Sequence, residues 1–210
     1  MKIARMFKYT YAICDIFHSI QGEATHTGLP MVFIRFSGCP LRCSWCDEPL
    51  HRQADKAEHL TLTQLRSRIL ELAPHTTNLL LTGGEPLMAP HLDRLVDYFK
   101  DQGYWIAMET CGEGGEIPAE VDWVTLSPKN QLPQSLYERA DEVKLVLGAD
   151  ADQSDKERLT QCHHPNLWLQ PRALPTGPDP MAVALCYRWA LESGGAWRLS
   201  LQTHKYIGVP

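Results

Sequence analysis

The feature that most restricts how this chain can fold is a repeated pattern: a short β-branched or aromatic run that stops at a polar or glycine-rich cluster. Seven such runs can be read. They are Met31 to Ile34, stopping at Arg35; Asn78 to Leu81, stopping at Thr82-Gly83-Gly84-Glu85-Pro86; and Tyr104 to Met108, stopping at Glu109-Thr110. Then come Asp122 to Leu126, stopping at Ser127-Pro128-Lys129; Glu142 to Leu147; Asn166 to Leu169, stopping at Gln170-Pro171; and Trp197 to Leu201, stopping at Gln202-Thr203-His204-Lys205. Helical patterns lie between them. Leu62, Leu65, Ile69 and Leu72 recur at helical spacing behind a capping box from Thr61 to Gln64, Leu92, Leu95, Val96 and Phe99 form a second stripe, and a third helix is expected from Asp179 to Glu192. Apolar strands separated by helices predict an α/β fold with a mostly parallel sheet, curled into a full or partial (β/α) barrel. The 15 prolines and 14 glycines are spread through the sequence instead of gathering into a linker, so residues 1–210 read as a single domain. Ligands of parallel sheets gather at the carboxyl ends of the strands, which is where the polar clusters fall.

Charge excludes some functions. Twenty Lys and Arg against 25 Asp and Glu leave a net charge of -5, so there is no basic footprint for gripping nucleic acid. No apolar stretch reaches the roughly 18 residues of a membrane span, and the start, Met1 to Lys8, lacks the apolar core of a signal peptide, so a cytoplasmic protein is expected. Seven cysteines, odd in number, argue against a disulfide framework. Three of them, Cys39, Cys43 and Cys46, share one loop at C-x3-C-x2-C spacing directly after the run ending at Arg35. Structural zinc takes four ligands, and a second CxxC pair is missing; His51 would serve as a fourth ligand but would leave the strand-end clusters unexplained. A [4Fe-4S] cubane normally takes four thiolates, so three leave one iron open to a ligand, as a reactive cluster requires. Cys14, Cys111, Cys162 and Cys186 read as small buried apolar residues.

The cysteine loop together with Thr82-Gly83-Gly84-Glu85-Pro86 resembles the radical S-adenosylmethionine (SAM) superfamily. Neither Gly83 nor Gly84 carries a Cβ, which lets the backbone approach a ligand. Further segments resemble the 7-carboxy-7-deazaguanine synthase family: Ile16-Phe17-His18-Ser19-Ile20-Gln21-Gly22-Glu23 ahead of the first expected strand, Phe33 to Cys39, Asp47, Glu109-Thr110, Ser127-Pro128-Lys129, Leu169-Gln170-Pro171 and Leu199 to Lys205. The resemblance implies a partial barrel of the radical SAM type and conversion of 6-carboxy-5,6,7,8-tetrahydropterin to 7-carboxy-7-deazaguanine by radical ring contraction with loss of ammonia. It also implies a homodimer and a flavodoxin or ferredoxin-type reductant. Carried over by position, Cys39, Cys43 and Cys46 would hold the cluster, while Trp45, Gly84, Ser127, Lys129 and Gln170 would contact SAM. Ile20, Gln21, Gly22, Glu23, Arg35, Thr82, His204 and Pro210 would bind substrate, Arg35 by forking onto its carboxylate. Glu23, Glu109 and His204 would be catalytic, Glu109 without an assigned step, and an acid or base would assist loss of ammonia and the final proton.

Two positions depart from the family. Glu48, followed by Pro49, stands where a threonine usually helps to hold magnesium, and Ala24 replaces the glycine usual after Gln-Gly-Glu. A glutamate is a hard oxygen donor, so a magnesium ion is expected near Glu48. The rival readings are a radical SAM enzyme on a related heterocycle, an activase that takes a hydrogen atom from a glycine of a partner protein, and a non-catalytic binding protein. The intact cysteine triad opposes the last.

Overall fold

The computed structural model describes residues 9–48 and 56–210. The chain divides into two compact units, Met1–Ser19 with Pro30–Val124, and Ile20–Leu29 with Thr125–Pro210. Both are discontinuous in sequence.

The first unit contains β1 (Thr10–Ile20, whose last residue belongs to the second unit), β2 (Pro30–Phe36), β3 (Glu58–Thr61), β4 (Asn78–Gly83) and β5 (Trp105–Thr110), in the order β5-β4-β2-β1-β3. β2, β4 and β5 are parallel, with Ile34 opposite Leu81 and Leu81 opposite Met108, whereas β3 runs antiparallel to β1. Ile34, Leu79, Leu81, Ile106 and Met108 are buried completely, as are Leu65 and Ile69 of α1 (Leu62–Leu72) and Leu95 and Phe99 of α2 (Leu92–Asp101). Each such side chain stabilises the fold by about 1.5–3 kcal/mol relative to exposure. α1 has the expected bounds because Thr61 and Gln64 form the capping box, each side chain bonding the other's backbone N–H.

The second unit is built on β6 (Trp123–Leu126, which begins in the first unit), β7 (Glu142–Leu147), β8 (Leu167–Pro171), a small antiparallel pair β9 (Ala173–Leu174) and β10 (Gly177–Pro178), and β11 (Trp197–Leu199). The main strands are parallel in the order β11-β8-β7-β6. Its helices are α3 (Gln134–Arg139), α4 (Gln153–Gln161), α5 (Pro180–Glu192) and α6 (Thr203–Ile207). Alternation along the strands gives the sheet two different faces. Val143, Leu145, Leu147 and Leu169 pack with Leu159 of α4 and with Cys186 and Trp189 of α5. The opposite face carries the buried polar groups Thr125, Glu142, Lys144, Gln170 and Ser200. Buried polar groups need partners. Thr125 bonds Glu142 and Ser200 bonds Gln170, and residues 20–29 supply partners to Glu142, Lys144 and Ser200.

The seven expected strands are β2, β4, β5, β6, β7, β8 and β11, and the third expected helix is α5, with Asp179 as its N-cap, accepting from Met181 N at 2.9 Å. One segment differs in kind. Ile16 to Ile20, expected to precede the first strand, lies within β1, an eleven-residue strand whose period is broken by Cys14, Asp15, His18 and Ser19. α4 also escapes sequence reading, because Leu159 is its one buried residue and its start rests on the Asp152–Asp155 capping box.

Candidate active site

In the first unit the cysteine loop leaves the end of β2. Cys39, Cys43 and Cys46 are half-buried and free of disulfides, and Cys46 N donates to Cys43 O at 3.3 Å, which puts the last two thiols on one bend. Burial pushes the Cys39 thiol up, so its ionisation belongs with metal binding. Three soft thiols on one loop can hold a cluster, each thiolate binding a different iron. His51, the zinc reading's fourth ligand, lies outside the described residues, as does Pro49.

The end of β4 fastens this loop. Gly84 N donates to Phe36 O and Glu85 N to Gly38 O, both at 2.8 Å. Gly83 has a φ of 112° and a Cβ there would collide with Phe36 N; a Cβ on Gly84 would overlap Gly38 O. The two glycines are thus required by the chain's own packing, since a Cβ on either would meet backbone of β2 or of the cysteine loop. Glu85, 1% exposed, accepts from Leu87 N at 3.0 Å, Thr110 Oγ1 at 2.5 Å and Cys111 N at 2.7 Å. Burial pushes its carboxyl up, against the pull of these hydrogen bonds. Sequence reading used Glu85 only as part of a motif; here it joins the ends of β4 and β5 to the cysteine loop. Of the cysteines expected to be buried bystanders, only Cys186 is fully buried; Cys14, Cys111 and Cys162 are half-buried, and Cys111 belongs to this brace through its backbone.

Arg35 and Thr82 are opposite each other across β2 and β4, and the same register puts Glu109 on their face of the sheet. Arg35 lies 4.8 Å above the Phe17 ring, 4.0 Å from Asp15 Oδ2, and in a direct ion pair with Glu48. The carboxylate expected at magnesium is therefore on the guanidinium expected at a ligand carboxylate. Trp45, inside the cysteine loop, is half-buried.

In the second unit the segment after β1 lies along the polar face of the sheet. Gln21 N donates to Leu29 O at 2.8 Å, Gly28 N donates to Gln21 O at 2.7 Å, and Gln21 Oε1 accepts from Glu23 N at 3.0 Å. The Glu23 carboxylate pairs with Lys144 and accepts from Gln202 Nε2 at 2.9 Å. Burial pushes Glu23 up, but the Lys144 ammonium and its hydrogen bonds outweigh this and hold the carboxyl below its ordinary range. Ala24 N donates to Ser200 Oγ at 2.8 Å, and Ser200 Oγ donates to Gln170 Oε1 at 2.7 Å. Thr25 N reaches Glu142 Oε2 at 3.2 Å. The His204 ring packs against Gly22, where a Cβ would collide with it, and Thr203 N donates to Gly22 O at 2.9 Å. Val209 N donates to His204 O at 3.1 Å, which brings Pro210 back beside α6. Lys129 Nζ donates to Ser127 O at 3.0 Å and Oγ at 2.6 Å. Ile20 is half-buried where β1 ends. Lys144, the buried partner of the expected site residue Glu23, is what sequence reading missed; its signal was a lone cation inside the apolar run Glu142 to Leu147.

The Radical SAM superfamily profile matches residues 33–129, from β2 through the cysteine loop and the glycine pair to Lys129. The 7-carboxy-7-deazaguanine synthase of Bacteroides thetaiotaomicron is 38% identical over 197 residues, covering 94% of this chain and 97% of its own. The chain belongs to the 7-carboxy-7-deazaguanine synthase family. The synthase of Haemophilus influenzae is 32% identical over 210 residues, covering 97% and 96% of the two chains. The crystal structure of QueE from Escherichia coli superposes with a TM-score of 0.77 at 29% identity, covering 97% of this chain and 99% of that one, so the fold is the radical SAM partial barrel expected from the sequence.

Proposed function

We infer that the chain is a radical SAM carbon–nitrogen lyase that converts 6-carboxy-5,6,7,8-tetrahydropterin to 7-carboxy-7-deazaguanine by ring contraction with loss of ammonia, in queuosine and other 7-deazapurine biosynthesis. The observation that carries this reading is the nearly end-to-end match to synthases of that name, in a chain whose cysteine loop is fastened by the glycine pair. The family's cofactors are the [4Fe-4S] cluster, SAM and Mg2+. When bound, cluster and SAM supply a 5′-deoxyadenosyl radical.

We assign the chain's residues as follows. Cys39, Cys43 and Cys46 hold the cluster. Trp45, Gly84, Ser127, Lys129 and Gln170 bind SAM, the lysine already oriented by Ser127. Arg35 takes the substrate carboxylate, with Thr82 beside it, and Ile20, Gln21, Gly22, Glu23 and Pro210 bind the heterocycle. Glu109 and His204 serve proton transfer after the ring contracts. Hydrogen transfer succeeds only between carbons held within about 3–3.5 Å, so the main work of these residues is positioning. The enzyme acts with an external reductant, which we assign to the flavodoxin or ferredoxin class, and we place it in the cytoplasm as a homodimer. Among the described residues no helix is long and apolar enough to cross a membrane.

The test is anaerobic reconstitution with iron and sulfide, then dithionite, SAM, Mg2+ and 6-carboxytetrahydropterin, with 7-carboxy-7-deazaguanine followed by mass and ultraviolet absorbance. Formation of 5′-deoxyadenosine without that product would refute the substrate. Cys43→Ala should abolish both products, and persistent SAM cleavage in it would refute the cluster assignment.

A further inference from the structure

Lys144 is a cation in the middle of β7, with its side chain 4% exposed, and Glu23, 12% exposed, is its partner. Burying both charges is costly unless the pair is well made and the remaining oxygens are bonded. Here they are: Gln202 donates to Glu23 Oε1, while Lys144 sits on Oε2. The neighbours of the pair are fixed in turn, since Gln21 holds the Glu23 backbone N–H and Ser200 holds that of Ala24. A group meant to exchange protons needs a pKa near the working pH. An oxygen pair clamped between an ammonium and an amide donor, on a backbone anchored on both sides, has neither that pKa nor freedom to swing. It is suited to accept N–H hydrogen bonds from a ligand that matches its direction, such as the adjacent ring N–H and exocyclic amine of a 2-amino-4-oxopyrimidine edge.

We propose that Lys144 is a positioning residue that fixes Glu23 as a stationary hydrogen-bond acceptor for the substrate's N–H edge, and that Glu23 takes no part in proton transfer. This rests on the reading of function above and removes Glu23 from the catalytic set implied by resemblance.

The experiment is steady-state kinetics of reconstituted wild type, Lys144→Met, Lys144→Arg, Glu23→Gln and the Glu23→Gln/Lys144→Met double variant with 6-carboxytetrahydropterin, with iron content and SAM affinity measured alongside. Lys144→Met and Glu23→Gln should each raise KM by about 10- to 100-fold, the range expected for a charged hydrogen bond, while kcat at saturation stays within about threefold. Arginine should recover part of the loss. The double variant should be no worse than Glu23→Gln alone, since Lys144 acts through Glu23, and it keeps the test alive if Lys144→Met fails to fold because it leaves no unpaired buried charge. A fall in kcat of about 100-fold or more at unchanged KM in Glu23→Gln would make Glu23 a proton-transfer group and overturn the proposal. So would additive losses in the double variant, or a drop in melting temperature with both kinetic constants unmoved. If the wild type cleaves SAM yet does not turn over the pterin, the function reading fails and takes this proposal with it; an active wild type with any of the contrary patterns sinks the proposal alone.

Discussion

Ala24 has a φ of 53°, in the left-handed region where an L side chain is strained by about 1–2 kcal/mol. It stands where the family resemblance implies glycine, and Ser200 holds its backbone in that conformation. Ala24→Gly is therefore expected to raise stability by about 0.5–1 kcal/mol, the relief of strain being partly offset by the freer unfolded chain, and denaturant titration would read it. Glu48 is the second departure. Its ion pair supplies Arg35 with a carboxylate before any substrate does. Glu48→Gln should lower the KM for the pterin by about threefold or more and leave the Mg2+ requirement unchanged, since surface-near ion pairs of this kind are worth up to about 1 kcal/mol; a rise in the Mg2+ needed for half-maximal rate would return Glu48 to the metal. Glu23 adds a pH dependence. Its folded carboxyl lies below the unfolded value of 4.5, so the unfolded chain binds the proton first. The stability it contributes is complete above that pH and is lost as pH falls through the folded value. The double variant without either charge should show a shallower acid limb in its melting temperature.

Elements whose apolar residues keep one period were legible in the sequence. α1 shows this best: Leu62, Leu65 and Ile69 face the core, and the Thr61–Gln64 box sets the start. β1 was not, because one part of it packs as a strand while Ile16 to Ile20 reads as a recognition segment. The site divides in the same way. Thiols and glycines announce themselves by type and spacing. The Glu85 brace and the Lys144–Glu23 pair depend on bonds across 26 and 121 residues, which no local pattern records. Gly84→Ala tests the loop at this scale. A methyl group there overlaps Gly38 O, so the cysteine loop must shift, and iron uptake on reconstitution should fall well below wild type while the far-ultraviolet circular dichroism changes little.

The division into units has a consequence for the molecule as a whole. A cut at residue 124 does not yield two complete pieces, because residues 20–29 belong with the C-terminal part. A fragment spanning 125–210 would keep the Thr125–Glu142 and Ser200–Gln170 bonds but would leave the Lys144 ammonium buried without Glu23, and a buried charge stripped of its partner costs about 3–5 kcal/mol. Such a fragment should remain unfolded by circular dichroism, and joining residues 20–29 to it through a flexible linker should restore structure. Order of synthesis gives the same arrangement another meaning. Everything the cysteine loop leans on, as far as Cys111, has been made before Gln170, Ser200 and Gln202 exist. The bond from Ala24 to Ser200 closes a loop of 176 residues. On a ribosome residues 20–29 must wait, already synthesised, until Gln202 has emerged, so the polar face of the second unit closes only after the cysteine loop and its brace have been made.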